Sequence, residues 1–99
     1  MMYTLIYSSK AEKEFLEAYD YYEERLLGLG DRFVNCIESK VESIVKNPYA
    51  YSIRRKNLHE YWVKEFPFLI VYQILEKENL IVIASVFHTS RNPKKKYRK

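Results

Sequence analysis

Two apolar runs stand almost back to back in the last third of the chain. "FLIVYQIL", residues 68–75, and "LIVIASVF", residues 80–87, are separated only by the polar "EKEN". Both are rich in β-branched and aromatic residues and nearly continuously apolar. Strands covered on both faces lose the polar/apolar alternation, so the two runs predict neighbouring central strands of a sheet joined by a short link. "LHEYWVKEF", Leu58 to Phe66, predicts a further strand just upstream. The rest of the chain must then cover these strands.

The N-terminal half supplies one cover. "YTLIY", Tyr3 to Tyr7, reads as a first strand, and "SSKAE" as a helix start in which Ser9 caps and Glu12 reaches back as in a capping box. Apolar residues at Ala11, Phe15, Ala18, Tyr19, Tyr22 and Leu26 have helical spacing, with Glu12, Glu14, Glu17, Asp20, Glu23 and Glu24 as a solvated acidic face. "LGLG", Leu27 to Gly30, ends that helix and eases entry into a second, predicted from about Asp31 to Lys46, before "NP" stops it. Phe33, Ile37, Val41, Ile44 and Val45 form its apolar stripe. A phosphate cradle at the glycines is a poor reading, because neither a preceding strand nor a following lysine accompanies them. Two striped helices joined by a short link predict a hairpin lying on one face of the sheet. The other face has no element left to cover it.

Composition narrows the class. Ninety-nine residues, 47% apolar and 30% charged, predict one domain over residues 1–99, with a basic extension at 94–99. The apolar runs fall far short of the roughly 20 residues that span a bilayer, and "MMYTLIYSSK" lacks the marks of a signal peptide, so a cytoplasmic protein with no membrane partner is expected. Cys36 is the single cysteine, which excludes an internal disulfide and a thiolate metal cluster; no cofactor or metal is expected. Residues 1–50 hold six Lys/Arg against nine Asp/Glu, and residues 51–99 hold eleven against four. An anionic partner would meet the second half.

The order of these pieces, with "GLGDRF" (Gly28 to Phe33), "NP", "FPFLIVY" (Phe66 to Tyr72) and "HTSRNP" (His88 to Pro93), resembles the RelE/ParE superfamily of bacterial toxins over nearly the whole chain. That resemblance implies an α+β fold: an N-terminal strand and a two-helix antiparallel hairpin packed on a mainly antiparallel sheet of three to four strands. It also implies a type II toxin-antitoxin module in which a cognate antitoxin wraps and neutralises the toxin. A homodimer or a hetero-oligomer with the antitoxin are the assemblies it admits. RelE-like members are metal-independent endoribonucleases that cut ribosome-bound mRNA, whereas ParE-like members poison DNA gyrase and are not hydrolases. The long hairpin and the His-x-x-Arg-x-Pro ending resemble the ParE-like and "plasmid stabilisation" members more closely.

RNA cleavage would need a base for the ribose 2′-hydroxyl, an acid for the leaving oxygen and cations at the phosphate. His88 is the candidate acid, and Glu60, His59 or a lysine the candidate base. Arg54, Arg55, Lys64 and Arg91 are candidate phosphate or target contacts, and Tyr97 can stack on a base. Each has a plain structural alternative: His88 can close a strand, Arg54 and Arg55 can form a solvated basic turn, and Glu60 stands where these families often carry a basic residue. Arg91, pinned by Asn92 and Pro93, is the foremost contact residue, suited to a carboxylate or a phosphate.

Overall fold

The computed structural model describes residues 3–55 and 57–90, and of Ser52, Arg54 and Arg55 the backbone only. Strand β1 (Thr4–Tyr7) leads into helices α1 (Ser9–Arg25) and α2 (Leu29–Lys46); β2 (Ser52–Arg55), β3 (Leu58–Trp62), β4 (Phe68–Leu75) and β5 (Leu80–His88) follow. The sheet order is β1-β5-β4-β3-β2. The two apolar runs thus form its centre, paired antiparallel from Phe68↔His88 to Leu75↔Leu80. The α+β architecture is as expected, with five strands rather than three or four. The added strand, β2, is short, polar and bulged between Ile53 and Arg55, so it has no apolar period to reveal it. One pair, β1 with β5, is parallel.

The helices lie on one face. Phe33, Ile37, Val41 and Ile44 of α2 and Ala11 and Ala18 of α1 are buried against Phe68, Ile70, Tyr72 and Ile74 of β4 and Ile81 and Ile83 of β5. Alternate residues of β4 and β5 therefore serve this core, as the period of two requires. Tyr22, Phe33, Phe66 and Phe68 meet at centroid distances of 4.9–6.3 Å, mostly tilted or edge-on, which accounts for part of the aromatic load. The opposite face is not bare, contrary to the expectation from the sequence. Leu69, Val71 and Phe87 are 0–3% exposed and form a second small cluster, with Leu58 and Ala84 packed against it from neighbouring positions of the sheet.

Local signals shift by a residue or two. The N-cap of α1 is Ser8, not Ser9: its Oγ accepts from the Ala11 amide at 3.0 Å and donates to the Ala84 carbonyl at 2.9 Å, tying the helix start to β5. Helix α2 begins at Leu29, after Gly28 in the left-handed region at φ 90°. Gly30 is needed for a different reason: a Cβ there would lie 2.8 Å from the Tyr19 ring, so the glycine lets the helices approach. Leu26, placed on the α1 stripe by its spacing, is exposed beyond the helix end. Among the described residues no helix is long and apolar enough to cross a membrane.

Candidate functional site

Strand β1 pairs with β5 only from Leu80 to Ile83, so β5 runs on past the end of its neighbour. Helix α1 begins at that point and crosses the lane that β1 has left. A bulge at Ala84 interrupts the β4–β5 ladder here, where Val71 pairs with Ser85 and Tyr72 with Ile83. Glu14 serves the displaced segment: one carboxylate oxygen accepts from Ser85 Oγ at 2.7 Å and from the Val86 amide at 2.9 Å.

Beyond that contact the lane opens into a cleft of about 350 Å³. Ala18, Phe68 and Val86 supply apolar surface; Glu14, Glu17, Tyr21 and Tyr22 enter from the helix, and His88 and Ser90 from the strand. Glu14, Glu17, Ala18, Tyr21 and Tyr22 fall at i, i+3, i+4, i+7 and i+8, one face of α1. The small side chain of Ala18 at the middle of that face leaves the space. Burial pushes the Tyr22 hydroxyl above the usual tyrosine range, with Tyr21 beside it adding to the shift, so Tyr22 stays a neutral donor.

His88 closes β5 opposite Phe68, its ring edge-on to the phenyl at 5.0 Å. The Ser90 amide reaches its Nδ1 at 3.1 Å and Ser90 Oγ lies at 2.6 Å from the same atom. A backbone N–H can only donate, so Nδ1 is an acceptor and the ring proton belongs on Nε2. Thr89 fastens the segment to the β3–β4 turn, its amide donating to the Pro67 carbonyl at 2.9 Å.

Among the described residues, those singled out in the sequence do not converge on His88. Lys64 is exposed in the β3–β4 turn, at the same end of the sheet. The backbone of Arg54 and Arg55 lies on edge strand β2, opposite the start of β3. That position is three strand spacings from β5 and about five residues further along, roughly 20 Å in all. His59 and Glu60 are each 2% exposed and point to opposite faces of β3. His59 stacks on Tyr72 at 5.0 Å with Nδ1 3.0 Å from the Tyr51 carbonyl, where it must be the donor. Glu60 sits in register between Ser52 and Val71. Arg91 and Tyr97 lie outside the described residues. Among the described residues no group of His, Cys, Asp and Glu could hold a metal ion. The sequence reading missed the cleft, whose only signal is the second stripe of α1, masked as a solvated acidic face.

The model of the family described as "ParE toxin of type II toxin-antitoxin system, parDE" matches residues 5–93. No curated protein sequence matches the chain. Among solved structures, the chromosomal ParDE system of P. aeruginosa is similar with a TM-score of 0.75 at 16% identity, over 88% of this chain and 96% of that one. The isolated E. coli RelE toxin gives a TM-score of 0.65 at 20% identity, over 94% and 90% of the two chains. The E. coli RelBE complex gives 0.65 at 21%, over 90% and 99%. These likenesses establish the fold.

Proposed function

The chain belongs to the ParE toxin family of type II toxin-antitoxin systems, and from that premise we propose that a cognate antitoxin holds it inactive and that, released, it inhibits DNA gyrase. The observation behind the choice of target is the setting of His88. Cleavage of RNA would require an acid, a base and cations around one phosphodiester. His88 instead shares its cleft with the carboxylates of Glu14 and Glu17, which repel a phosphate, and the backbone of Arg54 and Arg55 lies roughly 20 Å away. A surface that binds a protein target has no need of that convergence. Arg91, two residues past Thr89 and stiffened in sequence by Asn92 and Pro93, is the cation we assign to contact with the target or the antitoxin.

Growth of cells expressing the chain alone, and beside its neighbouring small reading frame, tests the module: inhibition only in the first case is expected. Purified chain should then inhibit gyrase supercoiling and leave translated messages intact in primer extension. Codon-specific cuts without loss of supercoiling would replace this reading with ribosome-dependent RNA cleavage. Arg91→Ala at full potency in the supercoiling assay would remove Arg91 from the contact.

A further inference from the structure

We propose that the cleft between α1 and the end of β5 seats a basic side chain, lysine or arginine, carried on a segment of the antitoxin; this rests on the toxin-antitoxin reading above. Charge points to the occupant first. Glu14 and Glu17 line the cleft, and among the described residues no lysine or arginine does. Glu14 already serves Ser85 and Val86 through one oxygen, whereas Glu17 is exposed and makes no ion pair among the described residues. An anionic or phosphorylated ligand would meet the two carboxylates inside the cleft.

Size and surface narrow the occupant further. A water occupies about 30 Å³ of the liquid, so about 350 Å³ is far too large for a bare ammonium or metal ion and fits a side chain with its neighbours. The apolar surface of Ala18, Phe68 and Val86 suits the methylene stem of lysine or arginine, which buries its stem while the head stays with the carboxylates. The rim already shows such a contact within the chain: the Arg25 guanidinium lies over the Tyr21 ring, 3.6 Å from its centroid. The same aromatic edge lines the cleft entrance.

The test uses the complex with the co-expressed antitoxin and, separately, the chain alone with N-acetyl-arginine methylamide as probe. Replacing one carboxylate that receives a charge-assisted hydrogen bond should weaken the complex about tenfold for Glu17→Gln, and more for Glu17→Lys. Ala18→Leu, which fills the cleft with a good helix former, should do the same while the thermal transition of the chain is retained. Glu24→Gln, on α1 outside the cleft, should bind as wild type. In the chain alone the arginine probe should shift the ring resonances of Tyr21 and His88, the glutamate analogue should not, and Ala18→Leu should abolish the shifts. Wild-type affinity in both Glu17→Gln and Ala18→Leu overturns the proposal, as does a change in the self-association of the chain alone in place of a change in antitoxin binding. Absence of any antitoxin complex while the arginine probe still binds would refute the toxin-antitoxin reading and leave the basic-side-chain specificity of the cleft standing.

Discussion

Replacing Glu23 by alanine should destabilise the fold by much more than replacing Glu24, the exposed carboxylate beside it on α1. The carboxylate closes the hairpin from the preceding helix: Oε2 accepts from the Gly28 amide and Oε1 from the Gly30 amide, both at 2.9 Å. Those amides belong to the start of α2, where backbone donors lack helical partners and Gly28 has no side chain to cap them. A hydrogen bond to a charged acceptor contributes about 1.5–3 kcal/mol. Two part-buried ones, discounted for water that enters once the side chain is gone, amount to about 2–3 kcal/mol. At about 4–8 °C per kcal/mol for a domain of this size, the melting midpoint should fall by roughly 10–20 °C. Glu23→Gln keeps an acceptor but loses the charge and should recover about half of that loss. Urea and thermal unfolding of both variants beside Glu24→Ala measure the effect; a difference between Glu23→Ala and Glu24→Ala below about 0.5 kcal/mol would refute the capping argument.

Three further outcomes are expected. Tyr72→Phe, which deprives the buried Pro48 carbonyl of its hydroxyl donor, should cost about 1–2 kcal/mol in urea unfolding. Gly30→Ala should cost about 1–2 kcal/mol despite alanine's better helix propensity, because its methyl lands 2.8 Å from both the Tyr19 ring and Glu23 Oε1. At the far end of the sheet, hydroxyls of Tyr49 and Tyr3 donate to Glu76 and hold its carboxyl below the ordinary range, so the stabilisation is present above the ordinary carboxylate pKa and lost as pH falls through the lowered one. Hydrogen bonding to the same carboxylate pushes Tyr49 up to about 12, so on the alkaline side stability should fall between pH 10 and about 12; phenolate absorbance of Tyr49→Phe against the parent should show the loss of one of the tyrosines that ionise above the ordinary range.

The parts of the fold legible in the sequence are those where an apolar period reaches a single core. The stripe Phe33, Ile37, Val41, Ile44 and the runs that became β4 and β5 were readable for that reason. Strand β2 was not, because an edge strand of four residues held by backbone bonds leaves no period. Glu23 looked like one more solvated acid, since its role depends on where the hairpin turn brings the Gly28 and Gly30 amides. The candidate site suffered most. His88, Arg54 and Arg55 seem companions in a basic half-chain, but strand order inserts β4 and β3 between them and aligns His88 with acids from the other half. Charge summed along a sequence carries no information about which strand lies next to which.

The parallel pairing of β1 with β5 also sets a timetable. Strand β1 finds its ladder only in β5, far later in the chain, Thr4 against Leu80 and Tyr7 against Ile83. A nascent chain can wind its two helices early, but their apolar stripe then waits for β4 and β5, and β1 waits with it. Such long-range closure slows folding relative to local pairing. A toxin built this way lacks its complete sheet until β5 has emerged, and the same interval leaves an antitoxin already present in the cell free to meet it as it folds.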